Sequence, residues 1–239
     1  MPDARMGIIL SSGNLMVEPY LRACAPAGLG VHATRMRMAS EWKRSPAELA
    51  ADVIGAAELL ADAKVDVIIY QATGVAMANG PEAEAELIAK ITRATGTPAL
   101  SASQAIVEAL RALGVRKTVV VSPFDQSANS RERPYLEAQG FQVVHDVGLG
   151  MKAGPESATV PPARWIETVT ANARDDADGY FLSGSNTTMA EAVAAIEREL
   201  GKPVVSSIQA TLWAGVRRLA PKLGPVTLPA ELGRLFGIL

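Results

Sequence analysis

Along the chain, short and largely apolar runs alternate with longer stretches in which apolar positions recur every three or four residues. The short runs suit strands buried on both faces and the longer pattern suits amphipathic helices, so the alternation predicts a parallel sheet covered by helices. Strands are expected at 6–10, 31–35, 65–70, 99–101, 118–121, 142–147, 179–182 and 204–206. Helices are expected at 46–63, 81–95, 103–113, 127–139, 162–174, 189–200 and 210–219. Gly114, Gly140 and Gly201 each follow a helical stretch, where glycine readily takes a left-handed C-cap.

The pattern is written twice. Gly96-Thr-Pro-Ala-Leu-Ser-Ala-Ser-Gln-Ala105 returns as Gly201-Lys-Pro-Val-Val-Ser-Ser-Ile-Gln-Ala210, on the skeleton G-x-P-x-x-S-x-x-Q-A. Asp66-Val-Ile-Ile-Tyr-Gln-Ala-Thr-Gly74 answers Asp178-Gly-Tyr-Phe-Leu-Ser-Gly-Ser-Asn186, and Ile9-Leu-Ser-Ser12 answers Val120-Val-Ser-Pro123. The three pairs keep their order at offsets of 105 to 112 residues, which points to a duplicated α/β unit. Two pseudo-symmetric lobes follow, each a parallel sheet flanked by helices, with a ligand cleft between them. The first lobe takes 1–112 with about 216–239, and the second 113–215. The matched segments fall where strands end, and the carboxyl ends of parallel strands are where open sheets bind ligands.

Composition narrows the function. Of 239 residues 49% are hydrophobic and 20% charged, which supports a packed core rather than disorder. A net charge of −2 with scattered basic residues argues against nucleic acid. The sequence has no apolar span of membrane length and no signal peptide pattern. It has one cysteine, Cys24, which excludes an internal disulfide, and these features together predict a cytoplasmic protein.

Four strand-end loops are rich in small hydroxyl, amide and glycine residues: Ser11-Ser-Gly-Asn14, Gln71-Ala-Thr-Gly74, Ser122-Pro-Phe-Asp125 and Ser183-Gly-Ser-Asn-Thr-Thr188. Each precedes a helical stretch, so backbone N–H groups could face a bound carboxylate. Such residues also cap helices everywhere, but four loops in register favour a ligand. His32 and His145 are isolated and begin no ligand spacing, so no metal is expected. Neither a phosphate-binding loop nor a convincing dinucleotide fingerprint is present.

The stretches Ser11 to Pro19, Asp66 to Gly74, Ala109 to Lys117, Ser122 to Arg131 and Val204-Val-Ser-Ser-Ile-Gln-Ala-Thr-Leu-Trp213 resemble the Asp/Glu racemase superfamily, in its maleate cis–trans isomerase and arylmalonate decarboxylase branch. The resemblance implies cofactor-independent chemistry at the α-carbon of a small acid, with two cysteines, one from each half, or in decarboxylases only the second. Here those positions fall on Ala72 and Gly184, and a tyrosine common in the family falls on Phe124. Both expected thiols are missing, and their loss should enlarge the pocket. The resemblance leaves Ser12, Asn14, Thr73, Gly74, Phe124, Ser185 and Asn186 to hold a small carboxylate or carbonyl substrate, and it suggests a homodimer. For the proton carrier the sequence offers Asp125 first, then Tyr70, Glu18 and His145, although Asp125 would equally cap a helix. The expected function is acid–base chemistry without cysteine on a small carboxylic acid. The alternatives are a silent carboxylate-binding protein or a hydrolase with an activated water.

Overall fold

The computed structural model describes residues 1–38, 45–151 and 155–239. Among the described residues eight strands form two four-stranded sheets. The first contains β1 (Ala4–Ser11), β2 (Leu29–Met36), β3 (Val67–Gln71) and β4 (Ala99–Ser101), in the order β2-β1-β3-β4. The second contains β5 (Lys117–Phe124), β6 (Gln142–Met151), β7 (Gly179–Leu182) and β8 (Val204–Ser206), in the order β6-β5-β7-β8. All pairings are parallel, and the second order is the first shifted by four strands. The expected α/β architecture of two parallel sheets flanked by helices is therefore present.

Helices α1 (Val17–Cys24), α2 (Pro46–Asp62), α3 (Thr73–Asn79), α4 (Pro81–Thr95) and α5 (Ala102–Ala112) belong to the first repeat. The second carries α6 (Gln126–Asn129), α7 (Glu132–Ala138), α8 (Pro162–Ala171), α9 (Met189–Leu200) and α10 (Ser207–Leu223). Equivalent ends are built alike. Gly96 and Gly201 close α4 and α9 with φ of +68° and +66°, values that suit glycine. Ser101 and Ser206 cap α5 and α10 by accepting from the N–H groups of Gln104 and Gln209.

Two sequence expectations are revised by local chemistry. The single helix expected at 127–139 is broken into α6 and α7, because Pro134 has no N–H to offer the Ser130 carbonyl. Helix α10 begins three residues before the expected 210, directly after β8, where Ser206 caps it.

Strand parity sorts the core into three clusters. Met6, Ile8 and Leu10 of β1, Ile69 of β3, Val120 of β5 and Phe181 of β7 point inward. With α5, α10 and Trp213 they form one apolar core between the two sheets. Their neighbours Ile9, Ile68 and Tyr70 pack outward under α2 and α4. Val119, Val121, Tyr180 and Leu182 do the same under α8 and α9.

Candidate functional site

The carboxyl ends of β1, β3, β5 and β7 lie at one side of this shared core, and hydrogen bonds tie their loops across the repeat boundary. Asn14, 2% exposed, uses its Oδ1 to accept from the N–H groups of Met16 and Val17 at the start of α1. Its Nδ2 is left to donate to the Ser185 carbonyl at 3.2 Å and to Ser185 Oγ at 3.4 Å. In return Asn186 Oδ1 accepts from Leu15 N–H at 2.7 Å. One asparagine from each half thus clasps the other half's loop. Ser12 is exposed, and its Oγ accepts from Met38 N–H.

The two strand ends expected to carry reactive groups differ in backbone. Ala72 is the N-cap of α3 at φ −139°, and its methyl packs in the outer cluster with Ile68 and Tyr70. Gly184 has φ +148°, which side chains rarely adopt, and donates its N–H to Ser207 Oγ at 3.2 Å. A carbon built on Gly184 would stand 3.1 Å from Thr187 Cγ2 and 3.2 Å from Pro123 Cδ. A side chain at this position would therefore be crowded at its first carbon by threonine and proline. The first turn of α10 joins the two ends, since Ser207 holds Gly184 and Thr211 donates to the side-chain oxygen of Gln71. Gln71 Nε2 and Thr73 Oγ1 are buried and have no hydrogen-bond partner among the described residues.

The proton carriers suggested by the sequence are spread apart. Asp125 is exposed just before α6, where it accepts from Ser127 Oγ at 2.7 Å and its carbonyl accepts from Asn129 N–H. Tyr70 lies in the outer core of the first sheet. His145 sits within β6, with Nε2 3.2 Å from Asn172 Oδ1 at the end of α8. Glu18 pairs with Arg35, which also donates to the Asn14 carbonyl at 2.7 Å. Phe124 ends β5 half-buried. Cys24, the chain's one thiol, ends α1, about 12 Å of helix from the Ser11–Asn14 loop, and burial pushes its pKa up. Among the described residues no group of three His, Cys, Asp or Glu could hold a metal ion. Nor is any described helix long and apolar enough to cross a membrane.

One carboxyl at the strand ends escapes sequence reading. Glu132, the first residue of α7, is 2% exposed and lies between the two halves. Its Oε1 accepts from Ser183 Oγ at 2.7 Å, and its Oε2 is buried without a partner among the described residues. Burial pushes the carboxyl up to about 7, while the Ser183 hydrogen bond pulls the other way. Across the repeat boundary, a carbon built on Gly74 would meet Glu132 Oε1 at 3.8 Å and no other described atom within 4 Å outside its own helical turn. In the sequence this residue stands in Arg131-Glu-Arg133, which reads as a solvated charge run.

A family model described as arylmalonate decarboxylase matches residues 16–236. The chain is 26% identical over 230 residues to a maleate isomerase of Geobacillus stearothermophilus, covering 90% of this chain and 91% of that protein. It is 30% identical over 172 residues to the arylmalonate decarboxylase of Bordetella bronchiseptica, covering 71% and 70%. Among solved structures, unliganded arylmalonate decarboxylase superposes with a TM-score of 0.86 at 26% identity, over 98% of this chain and 99% of that one. The maleate isomerase Iso of Pseudomonas putida S16 gives 0.88 at 25% identity, over 99% of each chain. The duplicated sheets, the strand-end loops and these matches agree: the chain belongs to the arylmalonate decarboxylase family, in the branch of the Asp/Glu racemase superfamily that it shares with the maleate isomerases.

Proposed function

We propose that this protein is an enzyme of carbon-acid chemistry, acting on a small carboxylic acid or related carbonyl compound without a cysteine. The observation that carries the reading is the meeting of loops from both halves around buried hydroxyl and amide groups, with the one thiol at the far end of α1. Thr73, Gln71 and the clasped Asn14–Ser185 pair offer donors for a carboxylate and for the negative charge of an enediolate. Preorganised donors of this kind act where charge develops and can supply much of a rate enhancement. With Ala72 and Gly184 taken as the positions of the family thiols, neither addition to a double bond nor thiol-mediated proton exchange is available. Loss of carbon dioxide followed by protonation needs only an anion-stabilising site and one acid, so decarboxylation is the favoured reaction.

Proton NMR in deuterated water tests this with phenylmalonate, maleate, aspartate, glutamate and several cyclic imides and hydantoins. Conversion of phenylmalonate, with deuterium at the α-carbon, is the expected result. Unchanged spectra with broadened ligand lines would replace the enzyme by a carboxylate-binding protein. Hydrolysis of a cyclic imide without exchange at carbon would favour a hydrolase.

A further inference from the structure

Glu132 is unlike the other buried carboxyls. Glu84 has both oxygens occupied, one by Tyr135 OH and one by Ser101 Oγ. Glu197 likewise accepts from the N–H groups of Val204 and Arg234. These two are bracing groups. Glu132 has Oε1 held by Ser183 and facing Gly74, where a built carbon would stand 3.8 Å away, while Oε2 is unpartnered among the described residues. A buried carboxyl with a free oxygen is costly to keep, so its position calls for an explanation beyond packing.

We propose that Glu132 is the acid–base residue of this site, exchanging a proton with the α-carbon of a small acid bound beside Gly74 while Ser183 holds its carboxyl in place. The assignment rests on the proposed function and supplies the group that reading lacks. The step balances without an outside reactant. Loss of carbon dioxide leaves an electron pair on the α-carbon, delocalised as an enediolate. The O–H bond of protonated Glu132 breaks, a C–H bond forms, and the carboxylate left behind regains a proton from water. A desolvated acid fixed on one side of the substrate delivers that proton to one face. Ser183 touches Glu132 rather than the reacting carbon, so it is a positioning residue.

The surroundings leave the carboxyl to itself. Helix α3 brings no ionisable side chain against it. On β6, Asp146 is engaged by Arg133 and Gln126, and His145 is turned to Asn172. Tyr135 of α7 is engaged by Glu84 of α4, and Glu137 of α7 pairs with Arg133. A group near 7 in such isolation holds its proton for part of the time at neutral pH, as a general acid must.

The test compares wild type, Glu132→Gln and Ser183→Ala in deuterated water with phenylmalonate, reading kcat, KM and product handedness. Glu132→Gln is expected to lower kcat at least 100-fold with KM little changed. Wild-type kcat should fall as pH rises through about 7, with an enantioenriched product. Ser183→Ala should move that fall to higher pH, because the lost hydrogen bond favours the carboxylate. A loss below tenfold in Glu132→Gln, or a racemic wild-type product, overturns the assignment. If wild type converts none of the panel, the proposed function fails, and the assignment is judged separately by carbon NMR of the carboxyl signal that Glu132→Gln removes. Titration near 7 together with a shift on adding phenylacetate sustains it; no shift overturns it.

Discussion

The two halves share a scaffold and differ in what they hang on it. Both order their strands alike, both cap the helix after the fourth strand with a serine that accepts from a glutamine N–H, and both use an aspartate ahead of the third strand to bridge to the first. At the third strand end the likeness stops. In the first half β3 runs through Ala72 directly into α3, with a negative φ that any side chain can take. In the second, six residues separate β7 from α9, Gly184 takes a glycine conformation, and the neighbouring serine holds the carboxyl of Glu132. Duplicated packing therefore coexists with unlike strand ends, because the core constrains both sheets while loops are free to vary.

The largest test of the shared scaffold is Trp213→Ala. Trp213 is fully buried in the core between the sheets, so truncation should cost about 3–5 kcal/mol. Urea unfolding should still show one transition, and two separate transitions would mean the halves are independent.

Next comes Glu132, whose pKa of about 7 lies above the ordinary 4.5, so the folded state binds the proton more tightly. That contribution is whole below about 4.5 and is lost as pH rises through 7, about 3 kcal/mol in all. Glu132→Gln should therefore match wild type near pH 4 and exceed its stability by about 3 kcal/mol at pH 8, measured by urea midpoints. Equal pH slopes for the two proteins would show that the carboxyl is solvated.

A smaller effect separates the strand ends directly. Gly184→Ala meets both an adverse φ and the Thr187–Pro123 contact and should cost about 1–3 kcal/mol. Ala72→Cys, where φ is negative and a side chain already stands, should cost less than about 1 kcal/mol. Equal midpoints for the two variants would remove the asymmetry.

The helix caps give the finest comparison. Ser206→Ala should cost about 1 kcal/mol. Ser101→Ala should cost more, about 2 kcal/mol, because it also takes a partner from buried Glu84. Thermal unfolding of both variants checks the ranking.

The scaffold was legible in the sequence because strands buried on both faces leave continuous apolar runs, as at Val67–Gln71 and Gly179–Leu182. The repeated serine and glutamine marked equivalent helix starts. Helix α3 was not legible, since Thr73-Gly-Val carries little helical propensity and neighbouring α7 supports it. The site was half legible. Asn14, Ser185 and Asn186 stood out as small polar residues at strand ends, and they do meet. Glu132 could not be seen, because its burial depends on Pro134 breaking the helix and on α3 arriving from the other half. A charge run between two arginines carries no local mark of burial.

The placement of α5 and α10, one from each repeat and both within the core between the sheets, carries a consequence for ancestry. A lone unit of this design would expose that apolar face to water and could cover it only with a second copy of itself about a two-fold axis. In such a homodimer every residue of the cleft must appear twice. Joining the copies in one polypeptide lifts that requirement, so an acid can be placed on one side and left off the other. A symmetric site sets the same acid on both sides of a planar intermediate; a fused one can keep it on one side alone.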